Sequence, residues 1–197
     1  MGMTCLLVID VQHDFLEGGA LAVPGASEIL EPLREAAQYF NTIVMSQDWH
    51  PADHSSFAVN NDAEVFSTKQ FPYGLQVMWP KHCVQGSLGA QLADEEMARK
   101  AAAIIRKGQN RDIDSYSAFV ENDKITETGL DGYLRTKGIT NLVLAGLATD
   151  YCVGYSALDA IAKGYNVTVR TDLCRGIDPK GVEAMLTQIK AAGGQIV

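Results

Sequence analysis

Asp150-Tyr151-Cys152 sits where an apolar run, Leu142-Val143-Leu144-Ala145-Gly146, gives way to helical periodicity from Val153 to Lys163. A cysteine that opens a helix meets unpaired backbone N–H groups and the positive end of the macrodipole. Both favour thiolate over thiol. A lone cysteine is more often a buried apolar residue, so Cys152 becomes a candidate nucleophile only in company. Asp10 ends the run Cys5-Leu6-Leu7-Val8-Ile9, and aspartate is disfavoured inside strands. It either caps a turn or takes the thiol proton. Lys107 follows Ile104-Ile105-Arg106. It either snorkels to solvent or points into a cleft, where it would pair with Asp10, support a thiolate and stabilise negative charge on a substrate.

A second constellation carries different chemistry. In Gln47-Asp48-Trp49-His50-Pro51-Ala52-Asp53-His54, Asp48 and His50 are two residues apart, so in extended chain their side chains share one side. A carboxylate and an imidazole placed so are two thirds of an Asp/His metal site. His82, in Trp79-Pro80-Lys81-His82-Cys83, offers the third ligand. Every histidine except His13 lies in this one irregular segment; the competing reading is a set of solvated loop histidines. His54 would be either a fourth ligand or a residue that orients one. Cys83 is expected to be buried.

These residues need elements to position them. The run Thr4 to Ile9 reads as a strand buried on both faces. Ser27 is the expected cap of a helix through Phe40, with Pro32 in its first turns, and Thr42 to Ser46 is a second strand. Gln47 to Gly89 shows little periodicity, and so long a loop in a compact domain is usually functional. A short helix over Leu92 to Lys100 leads into a strand at Ala102 to Arg106; a helix over Thr128 to Lys137 is closed by Gly138. Strands follow at Leu142 to Ala145 and Asn166 to Arg170, a helix from Cys152 to about Lys163, and a last helix over Pro179 to Ala192. Gln195 to Val197 is expected as an edge strand. The alternation predicts an α/β, Rossmann-like three-layer fold: one domain over residues 1–197, a roughly six-stranded parallel sheet, helices on both faces. Ligands in such sheets sit beyond the C-terminal strand ends, where Asp10, Asp48, His50, Lys107 and Cys152 all fall.

With 197 residues, 47% hydrophobic content and a formal net charge of -8, the chain fits one soluble domain with a real core. It has no basic run to meet nucleic acid or an anionic membrane, and no apolar stretch near the ~20 residues of a membrane span. Asp10 interrupts the first apolar run, which argues against a signal peptide. Four scattered cysteines without a C-x-x-C pair suit free thiols in a cytoplasmic protein.

Several motifs taken together carry a resemblance. Val8-Ile9-Asp10-Val11-Gln12-His13-Asp14-Phe15, Gly18 to Val23, Asp48-Trp49-His50-Pro51, Trp79 to Val84, Lys107-Gly108, Asp114 to Phe119 and Gly146 to Val153 cover the chain nearly end to end. The set resembles the nicotinamidases of the isochorismatase-like cysteine hydrolase superfamily. The cysteine-centred segment marks the superfamily; the Asp-x-His pair with Trp-Pro-x-His-Cys is the narrower signal. The resemblance implies a catalytic triad of Asp10, Lys107 and Cys152, and an oxyanion hole from the Ala148 and Cys152 N–H groups. The Leu147–Ala148 peptide would be cis. Phe15, Leu21, Trp79 and Tyr116 would wall a ring pocket. Asp48, His50 and His82, with His54 a variable addition, would hold a divalent metal, zinc first, iron or manganese as alternatives. It further implies hydrolysis of nicotinamide to nicotinate and ammonia through a cysteine thioester, with the metal on the pyridine nitrogen. Pyrazinamide is expected as a second substrate by shape, and a homo-oligomer by analogy with relatives. Three rivals stand beside it: a sister amidohydrolase for another small amide, a hydrolase whose metal-bound water is the nucleophile, and a binding protein without turnover.

Overall fold

Seven residues at the N-terminus show how this chain builds its frame. In the computed structural model, which describes residues 2–197, Cys5 through Ile9 of strand β1 (Met3–Ile9) are wholly buried. Side chains alternate across a strand, so Cys5, Leu7 and Ile9 enter one core and Leu6 and Val8 the other. A strand that is apolar on both faces must be covered on both faces, and that requirement sets the three layers.

Along the chain follow α1 (Leu30–Ala37), β2 (Ile43–Asp48), β3 (Thr68–Phe71), β4 (Gly74–Val77), α2 (Glu95–Lys100) and β5 (Ala103–Lys107). Then come α3 (Leu130–Thr136), β6 (Ile139–Leu147), α4 (Gly154–Ala162), β7 (Asn166–Arg175), α5 (Pro179–Ala191) and β8 (Gln195–Ile196). Six strands form one parallel sheet in the order β5-β2-β1-β6-β7-β8. Leu130 and Leu134 of α3, Ala157 and Ala160 of α4, and Met185 and Ile189 of α5 close one face. Leu33 and Ala37 of α1 and Met97 of α2 pack on the other, beside Phe15 and Trp79. The expected α/β three-layer architecture with a six-stranded parallel sheet is what the chain adopts. Connections lead one way from β1 through β2 to β5 and the other way from β6 through β7 to β8, so the order reverses between β1 and β6. A crevice opens at such a reversal, between the residues that follow these two strands: Asp10 and the segment to Cys152.

Several local expectations are corrected. Ser27 caps no helix. Gly25, at φ 73, starts a 3-10 turn over Ala26–Ile29, and the Ser27 hydroxyl donates to Glu17. Helix α1 therefore begins at Leu30 and stops at Ala37, short of Phe40. Helix α2 starts at Glu95 rather than Leu92, because the Asp94 carboxylate accepts the Met97 N–H at 2.9 Å and so fixes the first turn. In α3 the Thr128 hydroxyl is occupied with the Ala118 carbonyl, and helix begins at Leu130. Strands β6 and β7 run longer than their apolar runs suggested. The segment 47–89 is not wholly irregular: β3 and β4 form a small antiparallel hairpin.

Cys152 does not open α4 either. It lies inside a π turn, Thr149–Val153, and α4 begins at Gly154. The Ala148 carbonyl accepts N–H groups from both Tyr151 and Val153, each at 3.1 Å, leaving the intervening Cys152 N–H outside that pairing. The Leu147–Ala148 peptide is cis.

The approach to this turn depends on Gly146, which has φ 121; a Cβ there would lie 2.1 Å from the Ile9 carbonyl oxygen. Substituting Gly146→Ala adds a steric clash to a left-handed conformation, and we expect a loss of about 2 kcal/mol or more in urea unfolding. A change under about 0.5 kcal/mol would refute this account of the β1–β6 contact.

Candidate active site and metal centre

Lys107 is the last residue of β5 and its side chain is fully excluded from solvent. Its ammonium donates to Asp48 Oδ1 at 2.6 Å, to the Ser115 carbonyl at 2.7 Å and to Cys152 Sγ at 3.4 Å. An ammonium has three donors, and these three acceptors use them all. Asp10 Oδ2 stands 2.9 Å from the same nitrogen, yet no hydrogen bond ends on it among the described residues. Ion pairing holds that oxygen in place. Asp10 itself has φ 48 and is wholly buried. Ser46 Oγ fixes it, accepting the Asp10 N–H at 3.2 Å and donating to Oδ1 at 2.7 Å.

Asp10, Asp48 and Cys152 present their oxygen and sulfur atoms within 4.8 Å of one another, around one cation. Three adjacent acids cannot all be ionised beside a single positive charge. Burial would raise the Asp48 carboxyl, but Lys107 and His50 outweigh it and hold Asp48 well below the ordinary carboxylate range. Burial raises Asp10, with Lys107 only partly offsetting it. Burial also pushes the Cys152 thiol well up; Lys107 pulls it back, while Asp10 and Asp48 push further. Asp48 therefore takes the negative charge first, and one proton remains for Asp10 and Cys152 to share. This corrects the sequence-based account of the nucleophile. Cys152 lies in a π turn and not at a regular helix start, and its burial outweighs the pull of Lys107 on the thiol.

Asp48 faces two ways. Its Oδ1 meets Lys107, and its Oδ2 lies 3.5 Å from His50 Nε2 and 3.7 Å from His82 Nε2. Each of these histidines has its Nδ1 against a backbone carbonyl, Gly108 at 2.9 Å and Pro80 at 2.7 Å. A carbonyl only accepts, so Nδ1 donates in both rings and both Nε2 atoms are turned toward Asp48. That is the orientation of metal-ligating histidine. Ligating atoms of Asp48, His50 and His82 fall within 4.8 Å of one another, and the donor set suits a divalent transition metal.

His54 is arranged otherwise. Its Nδ1 accepts the Ser56 N–H at 3.2 Å and contacts Ser56 Oγ at 2.8 Å, leaving Nε2 to donate toward the Ile113 carbonyl at 3.3 Å. Burial brings its pKa down to about 4. With both nitrogens engaged, the neutral ring packs 4.3 Å from that of His50, outside the group that Asp48, His50 and His82 form. It does group with His50 and Asp114, but Asp114 already accepts from Ser115 N–H and Gln76 Nε2.

Cys152, Asp48 and His82 open into one pocket, which Phe15, Leu21, Trp79 and Tyr116 also line. Ala148, just before the π turn, lines it too. Sequence reasoning missed Val23, Asp114, Ser115, Tyr151 and Ile177 in this lining. Tyr151 stands edge-on to Trp79, with ring centroids 4.8 Å apart. It also missed Gln12, wholly buried, whose side chain accepts the Asp48 N–H and donates to the Asp48 carbonyl, both at 2.8 Å. A polar residue three places after an apolar strand was the available signal for Gln12, and the serine closing Ile43-Val44-Met45 was that for Ser46.

Comparison with known proteins agrees with this geometry. The isochorismatase domain model matches residues 4–197. The chain is 49% identical over 177 residues to the nicotinamidase of Acinetobacter baylyi, covering 89% of this chain and 83% of that protein. It is similar in structure to the Acinetobacter baumanii nicotinamidase/pyrazinamidase, with TM-score 0.97 and 42% identity over 100% of this chain and 96% of the other. The Pyrococcus horikoshii pyrazinamidase in complex with zinc aligns with TM-score 0.81 and 34% identity over 98% of both chains.

Behind the site, Glu121 is buried with Oε2 unpartnered among the described residues. Burial, with Asp123 and Asp114 adding to it, raises its pKa to about 7 from 4.5. The folded carboxyl resists ionisation that the unfolded chain undergoes readily, so native stability is lost as pH rises from about 4.5 to 7. Glu121→Gln should match the wild type near pH 4 and exceed it by roughly 1–2 kcal/mol near pH 8 in urea unfolding. Equal stability at both pH values would rule this out.

Proposed function

The chain belongs to the isochorismatase-domain family, and on that premise we propose that it hydrolyses nicotinamide to nicotinate and ammonia. One observation carries the reading: the Asp10–Lys107–Cys152 cluster and the Asp48–His50–His82 cluster share Asp48, and both open into a single aromatic-walled cavity. A heteroaromatic amide fits such a site with its ring toward one cluster and its carboxamide toward the other.

Chemistry begins with the free oxygen of Asp10, which takes the Cys152 proton; the sulfur then attacks the carboxamide carbon. Lys107, its charge fixed by Asp48 and the Ser115 carbonyl, stabilises the thiolate as it forms. The N–H groups of Ala148 and Cys152 take the developing oxyanion. As the C–N bond breaks, Asp10 returns the proton to departing ammonia, leaving a thioester on Cys152. A water, deprotonated by Asp10, attacks the thioester carbon, and the C–S bond breaks to give nicotinate and the thiol. Phe15, Leu21, Trp79 and Tyr116 hold the ring and keep bulk water from the sulfur.

Asp48, His50 and His82 would hold a divalent metal, with zinc first on the donor set and on the zinc-bound relative. Bound there, the ion supplies a Lewis acid that grips the pyridine nitrogen and orients the carboxamide. Pyrazinamide, which also offers a ring nitrogen, fits the same reading. No helix among the described residues is long and apolar enough to cross a membrane, and four free cysteines suit a reducing cytoplasm.

Cys152→Ala should lower ammonia release from nicotinamide by about 10³-fold or more while fold and metal content survive. Substantial turnover in that variant would overturn the covalent route. Benzamide, which lacks the ring nitrogen, should show kcat/KM lower by about a hundredfold or more; parity with nicotinamide would remove the metal–pyridine contact from the mechanism.

A further inference from the structure

Cys83 is a buried residue with an uncommon backbone. Its φ is 46, a left-handed conformation that a side chain disfavours. It follows His82 directly, and its carbonyl accepts the His50 N–H at 3.0 Å. One residue thus bears on two of the three residues that face each other across Asp48 Oδ2. Its own N–H goes to a single acceptor, Asp14 Oδ2, at 2.7 Å.

Asp14 neither lines the cavity nor belongs to either cluster. Its remaining contacts tie the same point to the wall of the ring pocket. Oδ1 accepts the Ala20 N–H at 3.3 Å, the Asp14 carbonyl accepts the Leu21 N–H at 2.9 Å, and the Asp14 N–H donates to the Gly89 carbonyl at 2.9 Å. The backbone at residue 89 comes so close that a Cβ there would lie 2.1 Å from Asp14 Oδ2; only glycine admits that approach. Phe15, the next residue, packs against His82 with ring centroids 5.6 Å apart.

We propose that Asp14 is a positioning residue whose carboxylate holds the Cys83 peptide in its left-handed conformation, and so aims His82 and anchors His50 for metal binding. It rests on the reading of Asp48, His50 and His82 as metal ligands. The bond needs an acceptor at Asp14, not a charge. An asparagine carbonyl oxygen can take the Cys83 N–H, whereas leucine of similar shape cannot.

The test uses the full chain, stripped of metal and titrated with Zn²⁺ against a chromophoric chelator, for the wild type, Asp14→Asn, Asp14→Leu, Asp14→Ala and His82→Ala. Asp14→Leu and Asp14→Ala should weaken Zn²⁺ binding about tenfold or more, as loss of a ligand-orienting group does. Asp14→Asn should stay within about threefold of the wild type. Nicotinamide KM should rise more than kcat falls in the leucine and alanine variants, because ring docking is disturbed and the sulfur cluster is not. Should the leucine variant not fold, the alanine variant carries the same comparison. Wild-type Zn²⁺ affinity in Asp14→Leu or Asp14→Ala, or equal losses in Asp14→Asn and Asp14→Leu, would overturn the proposal. If His82→Ala leaves Zn²⁺ affinity unchanged, the metal-ligand reading itself fails; if only that variant loses affinity, the ligands stand and the role of Asp14 falls.

Discussion

A lysine ammonium without access to water is the constraint on which this site turns. An unpaired buried cation would lose its proton or unfold the chain. Burial would lower Lys107, but Asp10 and Asp48 outweigh it and hold its pKa well above the ordinary value. Each partner must then be held where the ammonium needs it. Ser46 fixes Asp10, Gln12 fixes Asp48, and the loop after β5 offers the Ser115 carbonyl. With the three donors directed to Asp48, Ser115 and Cys152, the second oxygen of Asp10 is held by ion pairing alone.

The sheet makes this arrangement possible. Asp10, Asp48 and Lys107 lie at the C-terminal ends of the adjacent parallel strands β1, β2 and β5, while β6 delivers Cys152 from the other side of the reversal in strand order. Parallel register brings four reactive groups to one edge without a long loop having to reach across. The two apolar cores on either face supply the stabilisation that lets the edge be polar and buried at once.

How much of this was legible in the sequence follows from what each feature depends on. A strand such as Cys5 to Ile9 announces itself through continuous apolar character, and an acid ending it stands out, so the sheet and the polar residues gathered at its edge could be read. Helix starts at Leu30 and Glu95 could not be placed, since side-chain caps compete locally: Ser27 turned to Glu17, and Asp94 took the capping role. The two-sided use of Asp48 was hidden because it depends on which oxygen meets which neighbour across 59 residues of chain. His54 was open between ligand and support for the same reason; its nitrogens meet Ser56 and the Ile113 carbonyl, contacts that residue spacing does not encode. The lowered thiol pKa expected from a helix start failed most instructively. It assumed that Cys152 begins a regular helix and neglected the burial that the π turn imposes.

Stability alone does not explain why these charges are inside. Replacing a buried ionic cluster by well-packed apolar residues is often neutral or stabilising, whereas removing one member leaves an uncompensated charge and is costly. A fold selected only to be stable would fill the end of β5 with leucine or valine, as it fills the middle of β1. This one instead keeps a cation, two carboxylates and a thiol out of water at the point where the strand order reverses. The desolvation that makes the cluster costly also strengthens every interaction within it. In the proposed reaction, the same burial that keeps the sulfur protonated at rest would favour passing its proton to Asp10 when an amide carbon is at hand.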